Sequence, residues 1–222
     1  MDYIYILLIA AMIFVAWAQV SVKTTFAKYS KIPTGNGQTG QDAARCILDA
    51  NGLQHISVQP VAGELTDHYS PTEQVIRLSQ PVYGVASAAA VGVAAHEAGH
   101  AVQNAVGYFP MKLRAMIIPI TKFGSGAAIP LFILGLALSF GFLIDIGLGL
   151  FFFSVLFQLV TLPVEFNASS RAMVALRESG AYSEEELRAA RKVLTAAAMT
   201  YVGALAVSMV QFLRLLSMAR RR

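Results

Sequence analysis

The chain has 222 residues, of which 56% are hydrophobic and only 14% charged, with a net charge of +4 and a mean hydropathy of +0.58. That is too apolar for an ordinary soluble domain. A single cysteine excludes an internal disulfide and, beside four histidines, a structural zinc site of the cysteine type. The basic residues flank apolar segments instead of forming a patch, so no nucleic-acid signature is present.

In chain order, the uncharged run Tyr3 to Val20 is long enough to cross about 30 Å of hydrocarbon as a helix. Lys23, Lys28 and Lys31 follow it. A cleaved signal peptide carries its positive charges first, so the segment reads as a retained anchor whose far side is cytoplasmic. Ile32 to Gly40 is a turn-rich linker. Thr39 is placed to cap a helix starting near Gln41 and ending at Asn51-Gly52. Cys46 falls in the amphipathic pattern of that helix and reads as core. His55 to Val61 reads as a strand, and "ELTDHY" and "QVIRLS" as a hairpin around "SPTE".

Next comes "AAHEAGHAV". On a helix, positions i and i+4 share a face, so His96 and His100 point the same way and can hold one Zn²⁺. Glu97 projects beside them, where it can take a proton from a metal-bound water. Gly99 costs helix stability but lets another element approach closely. The alternative is a pair of satisfied core histidines. Against it, two histidines and a glutamate on the otherwise uncharged stretch Gln80 to Val106 are expensive to bury without a task.

Phe123 to Pro163 contains one charge, Asp145, and reads as two spans joined by a tight hairpin with Asp145 near the outer surface. Lys112, Arg114 and Lys122 on one flank, and Arg171 and Arg177 on the other, put both flanks in the cytoplasm. "SEEELRAARKVL" starts a helix with a capping box at Ser183. It leads into Thr195 to Leu216, which is either a fourth span or a helix lying against the others. The domain reading is an anchor at 1–22, a cytoplasmic portion at 23–122, a transmembrane hairpin at 123–163, a cytoplasmic helix at 164–192 and a membrane-associated or transmembrane helix at 193–222.

A catalytic zinc needs a third protein ligand. His55 and His68 precede the motif. Glu165 follows it in "LPVEFNASSRAMVAL", where Pro163 suits the first turn of a helix. On pattern alone Glu165 is equally well a solvated acid favoured by the helix dipole.

"KTTFAKYS", "TGQDAARCILDANGL", "GELTDHYSPTEQVIRLS", "YGVASAAAVGVAAHEAGHAVQ" and "LPVEFNASSRA" occur in this order along nearly the whole chain. Together they resemble the YugP-like, membrane-bound neutral zinc metallopeptidases, and more distantly the membrane gluzincins. The resemblance implies Glu165 as third ligand, with Ala168 at the alanine of the distant group's E-x-x-A-D motif. Ser169 stands where that group has Asp, and Asn167 where the YugP-like chains have Asp. The partner of a zinc histidine is then another acid or a hydroxyl. In zincin folds an edge strand lies along the cleft and pairs with extended substrate. His68 or Tyr69 would then donate to the oxyanion of the tetrahedral intermediate, unless Asp67 and Tyr69 serve only the turn and packing.

The reading is an α+β membrane protein, mainly helical, with a small antiparallel zincin-like sheet and three to four transmembrane helices. Its function would be that of an integral membrane zinc endopeptidase, with polypeptides, membrane proteins among them, as substrates and the lipid bilayer as its other partner. Zn²⁺ is held by His96, His100 and Glu165, with Glu97 as general base and the site facing the cytoplasm. Two alternatives are a site-2-type intramembrane protease with Asp145 as third ligand, and a non-catalytic scaffold held by its metal.

Overall fold

The computed structural model describes residues 2–220. It is mainly helical with one small sheet, an α+β membrane protein. The chain divides into two compact units, one made of residues 2–18, 109–163 and 199–220, the other of residues 19–108 and 164–198.

Among the described residues, four helices are long and apolar enough to cross a membrane: α1 (Asp2–Tyr29), α5 (Phe109–Ala137), α6 (Gly141–Glu178) and α7 (Glu184–Ala219). The segment Thr195 to Leu216 thus belongs to a span-length helix. Within the apolar unit, α5 and α6 meet through small residues. A Cβ on Gly147 would lie 2.7 Å from the Ala128 carbonyl oxygen, and one on Gly135 2.7 Å from the Ile144 nitrogen. Such close approach is how apolar helices gain packing where no hydrophobic drive separates them from lipid. The turn between them is at residues 138–140, with Ser139 at φ 53°. Asp145 therefore lies inside the first turns of α6, close to the turn.

The polar unit holds α2 (Gly40–Ala50), β1 (Ser57–Val61), β2 (His68–Ser70), β3 (Val75–Ser79), α3 (Gln80–Tyr83) and α4 (Ala88–Ala105). Thr39 caps α2 in a reciprocal capping box with Asp42. Ser87 caps α4 through the Ala90 amide. Cys46 lies on the exposed side of α2, because Ala43, Ala44, Ile47 and Leu48 supply its buried face.

The sheet is mixed, in the order β1-β3-β2, with β1 parallel and β2 antiparallel to β3. An all-antiparallel sheet was the expectation. The strand "VIRLS" is buried at four of its five positions, three of them apolar, so it takes the centre. Pro60 confines β1 to an edge, and residues 62–67 carry the chain past β3 to the opposite edge. The core of this unit gathers Ile47, Leu48, Ile56, Ile76 and Leu78 against α4, together with Leu176, Leu187 and Leu194.

Alanine and glycine dominate α4 because other helices close on it. A Cβ on Gly92 would lie 3.0 Å from the Ala190 Cβ, and one on Gly99 2.6 Å from the Ala168 carbonyl oxygen.

Candidate metal centre

Two helices build the centre. On α4, His96 and His100 lie one turn apart with ring centroids 4.6 Å apart and ring planes at 81°. On α6, Glu165 is 3% exposed. Its Oε2 is 3.2 Å from His96 Nε2 and 3.5 Å from His100 Nε2. One ligand atom from each of the three residues lies within 4.8 Å of the others.

Glu165 reaches this place in a way that the sequence pattern did not suggest. Pro163 does not open a helix. It lies inside α6, which runs unbroken from Gly141 to Glu178. An interior proline sacrifices one backbone hydrogen bond, and the apolar span and the polar helix after it are one element. Glu165 is therefore far from the helix N-terminus, and no dipole argument accounts for it. Asp145, twenty residues upstream on the same helix, is not in the cluster.

The far sides of both imidazoles are engaged. His96 Nδ1 is hydrogen-bonded with Ser169 Oγ at 3.1 Å, and His100 Nδ1 with Gln103 Oε1 at 3.0 Å. Both Nε2 atoms then turn to the Glu165 carboxylate. With neutral rings, three acceptor atoms would converge in a nearly water-free space, which is costly unless a cation or a proton joins them. Without a metal, a proton on His100 is favoured there. Burial opposes charge on His100, but its hydrogen bond with Glu165 and the charges of Glu97 and Glu165 outweigh it, and its pKa is raised. Two nitrogens and one carboxylate, with solvent reaching one side of His96, form the donor set of a zinc site with a position left open. The residues present fit the ion.

Glu97 is 8% exposed, and its charge is felt at His100. Tyr69 on β2 accepts a hydrogen bond from Asn104 Nδ2 at 3.2 Å, and Asn104 is one turn beyond His100 on α4. Burial raises the Tyr69 pKa against the opposing effect of Asn104, so the phenol keeps its proton. His68 is exposed, its Nδ1 hydrogen-bonded with the Thr66 carbonyl at 2.8 Å. His55 is also exposed. Asp67 accepts hydrogen bonds from the Ser79 amide and hydroxyl and closes the end of the sheet. Sequence reasoning passed over Gln103 and Asn104. Their offsets of three and four from His100 place them on its face of α4, and that spacing was the available signal.

The chain belongs to the family of zinc metallopeptidases described as "putative neutral zinc metallopeptidase", whose model matches residues 4–220. It is 50% identical over 208 residues, covering 94% of this chain and 92% of the relative, to the "putative membrane protease YugP" of Bacillus subtilis (strain 168). No solved structure matches the chain significantly. With its four span-length helices it is a multi-pass membrane protein of that family.

Proposed function

We propose that the protein is a membrane zinc endopeptidase whose metal is held by His96, His100 and Glu165. The observation that carries this reading is the convergence of two histidine Nε2 atoms on one buried carboxylate oxygen. Zinc bound there supplies Lewis acidity, lowering the pKa of water and polarising a carbonyl oxygen.

The rest is work for the chain's own groups. Glu97 has the position of a general base. It accepts the proton of the attacking water at its carboxylate and returns that proton to the leaving amine. Its burial, at 8% exposure beside His100, keeps it at the centre and out of bulk water. Ser169 and Gln103 orient the two imidazoles. An extended polypeptide would pair along the free edge of β2. Tyr69, kept protonated and tied to α4 through Asn104, would then donate to the oxyanion. His68, its neighbour on the same strand, is the other candidate donor. The Lys and Arg residues flanking the apolar spans support a cytoplasmic position for 23–122 and 164–192.

Purified protein should carry about one zinc per chain and cleave an unfolded polypeptide. A chelator should abolish cleavage and zinc should restore it. Glu97→Gln should keep the zinc and lose turnover by about 10²–10⁴-fold or more, the scale of general-base catalysis. A Glu97→Gln variant with full activity would sink the mechanism.

A further inference from the structure

Gln103 is fully buried at 0% exposure, one turn beyond His100 on α4. Three polar groups surround its amide. Nε2 donates to the Val164 carbonyl at 2.8 Å and to Asn167 Oδ1 at 3.0 Å, and Oε1 faces His100 Nδ1 at 3.0 Å.

Two of these neighbours have no freedom. The Val164 carbonyl can only accept. Asn167 Oδ1 also accepts from Arg171 Nε at 2.8 Å, and a guanidinium can only donate, so the oxygen of Asn167 is fixed in place. Both demand a donor from residue 103, and the two N–H bonds of one amide satisfy both. Flipping the amide would set its oxygen against two acceptors. Oε1 must therefore face His100, and the ring must carry its proton on Nδ1. In the neutral, metal-binding form of the ring the lone pair is then left on Nε2, the atom turned to Glu165.

We infer that Gln103 is a positioning residue that sets the tautomer of His100, through a chain running Arg171, Asn167, Gln103, His100, so that Nε2 is presented to the metal. The inference rests on the reading of His100 as a zinc ligand. His96 differs. Its partner, Ser169 Oγ, donates or accepts equally well and follows the ring's tautomer without choosing it. The bland alternative is that Gln103 only ties α4 to α6 through Val164 and Asn167.

The test uses full-length protein in lipid nanodiscs, ¹⁵N-labelled at histidine and loaded with zinc. Two-bond ¹H–¹⁵N correlation spectra report which ring nitrogen bears the proton and which binds metal. His100 should show a protonated Nδ1 and a metal-bound Nε2. Two variants separate positioning from bracing. Gln103→Met removes the acceptor and the donors. Gln103→Glu keeps an acceptor toward His100 and loses the donors to Val164 and Asn167. Zinc affinity, measured by chelator competition, should fall about 10–100-fold in Gln103→Met, the usual cost of losing a partner that orients a ligand, and less than tenfold in Gln103→Glu. A wild-type His100 with its proton on Nε2, or equal losses of zinc affinity in the two variants, overturns the inference. The wild-type spectrum decides even if a variant fails to fold. Wild-type protein that takes up no zinc, or takes it up without engaging His100, overturns the zinc reading itself and this inference with it.

Discussion

Gly99 and Ala168 are in backbone contact: a Cβ added at residue 99 would sit 2.6 Å from the Ala168 carbonyl oxygen. The contact lies between the two histidines in sequence and three residues beyond Glu165, so it sets the distance between α4 and α6 at the metal centre. Gly99→Ala should gain about 1 kcal/mol of helix propensity. It should lose more to the clash, since overpacking costs about 1–3 kcal/mol and here the neighbour is backbone that cannot rotate away. The expected result is a lower melting temperature and weaker zinc binding together. A variant as stable as wild type with unchanged zinc affinity would show that the helices tolerate a wider separation.

The acids divide into separable roles. Glu165→Ala removes one of three proposed ligands, so zinc should be lost or bound far more weakly. Asp145→Ala should leave zinc content and proteolysis near wild type. The reverse pattern, zinc lost with Asp145→Ala and kept with Glu165→Ala, would be the signature of a site-2-type enzyme. Zinc content by mass spectrometry of the purified variants reads both outcomes.

Acidity should act oppositely on the metal-free and metal-loaded protein. The folded pKa of His100 is raised above its ordinary value of about 6.5. A raised folded pKa contributes stability that is fully present below about pH 6.5 and is lost as pH rises through the folded value. The chelated protein should therefore lose this contribution progressively as pH rises above about 6.5. Zinc competes with that same proton, so its stabilisation should grow over the same interval. Melting curves with and without chelator, taken across this range, should diverge as pH rises. Parallel curves would mean that His100 does not bind zinc.

Topology can be read without engineering. Cys46 is the only cysteine and lies exposed on α2. With the polar unit in the cytoplasm, a membrane-impermeant maleimide should label it in inverted vesicles and leave it unlabelled in intact cells. Labelling in intact cells would reverse the orientation.

Much of the centre was legible because its spacing is local. His96 and His100 are related by one helical turn, and nothing elsewhere in the chain is needed to see it. The capping box of Thr39 and Asp42, the hairpin of β2 and β3, and the apolar spans are local patterns of the same kind. Contacts across sequence were harder to read. The order of the sheet depends on which strand has the most apolar surface to bury, and periodicity within one strand does not reveal a parallel partner. Pro163 misled for a related reason. Proline is common at helix starts, but whether an interior one is tolerated depends on packing that only the tertiary structure supplies. The side of α2 that carries Cys46 was likewise settled by its neighbours. Gln103 has no motif of its own, and its importance comes from a carbonyl and an arginine more than sixty residues away.

The continuity of α6 also bears on biosynthesis. On the ligand set proposed above, a nascent chain displays both histidines and Glu97 long before it can hold zinc tightly. Glu165 follows only after Phe109 to Pro163, the whole α5–α6 turn and most of the apolar length of α6, has been synthesised. A ribosome-bound intermediate would thus carry a base and two ligands but no complete metal centre. Hydrolytic competence would be withheld from the half-made enzyme and granted only once its membrane segments exist.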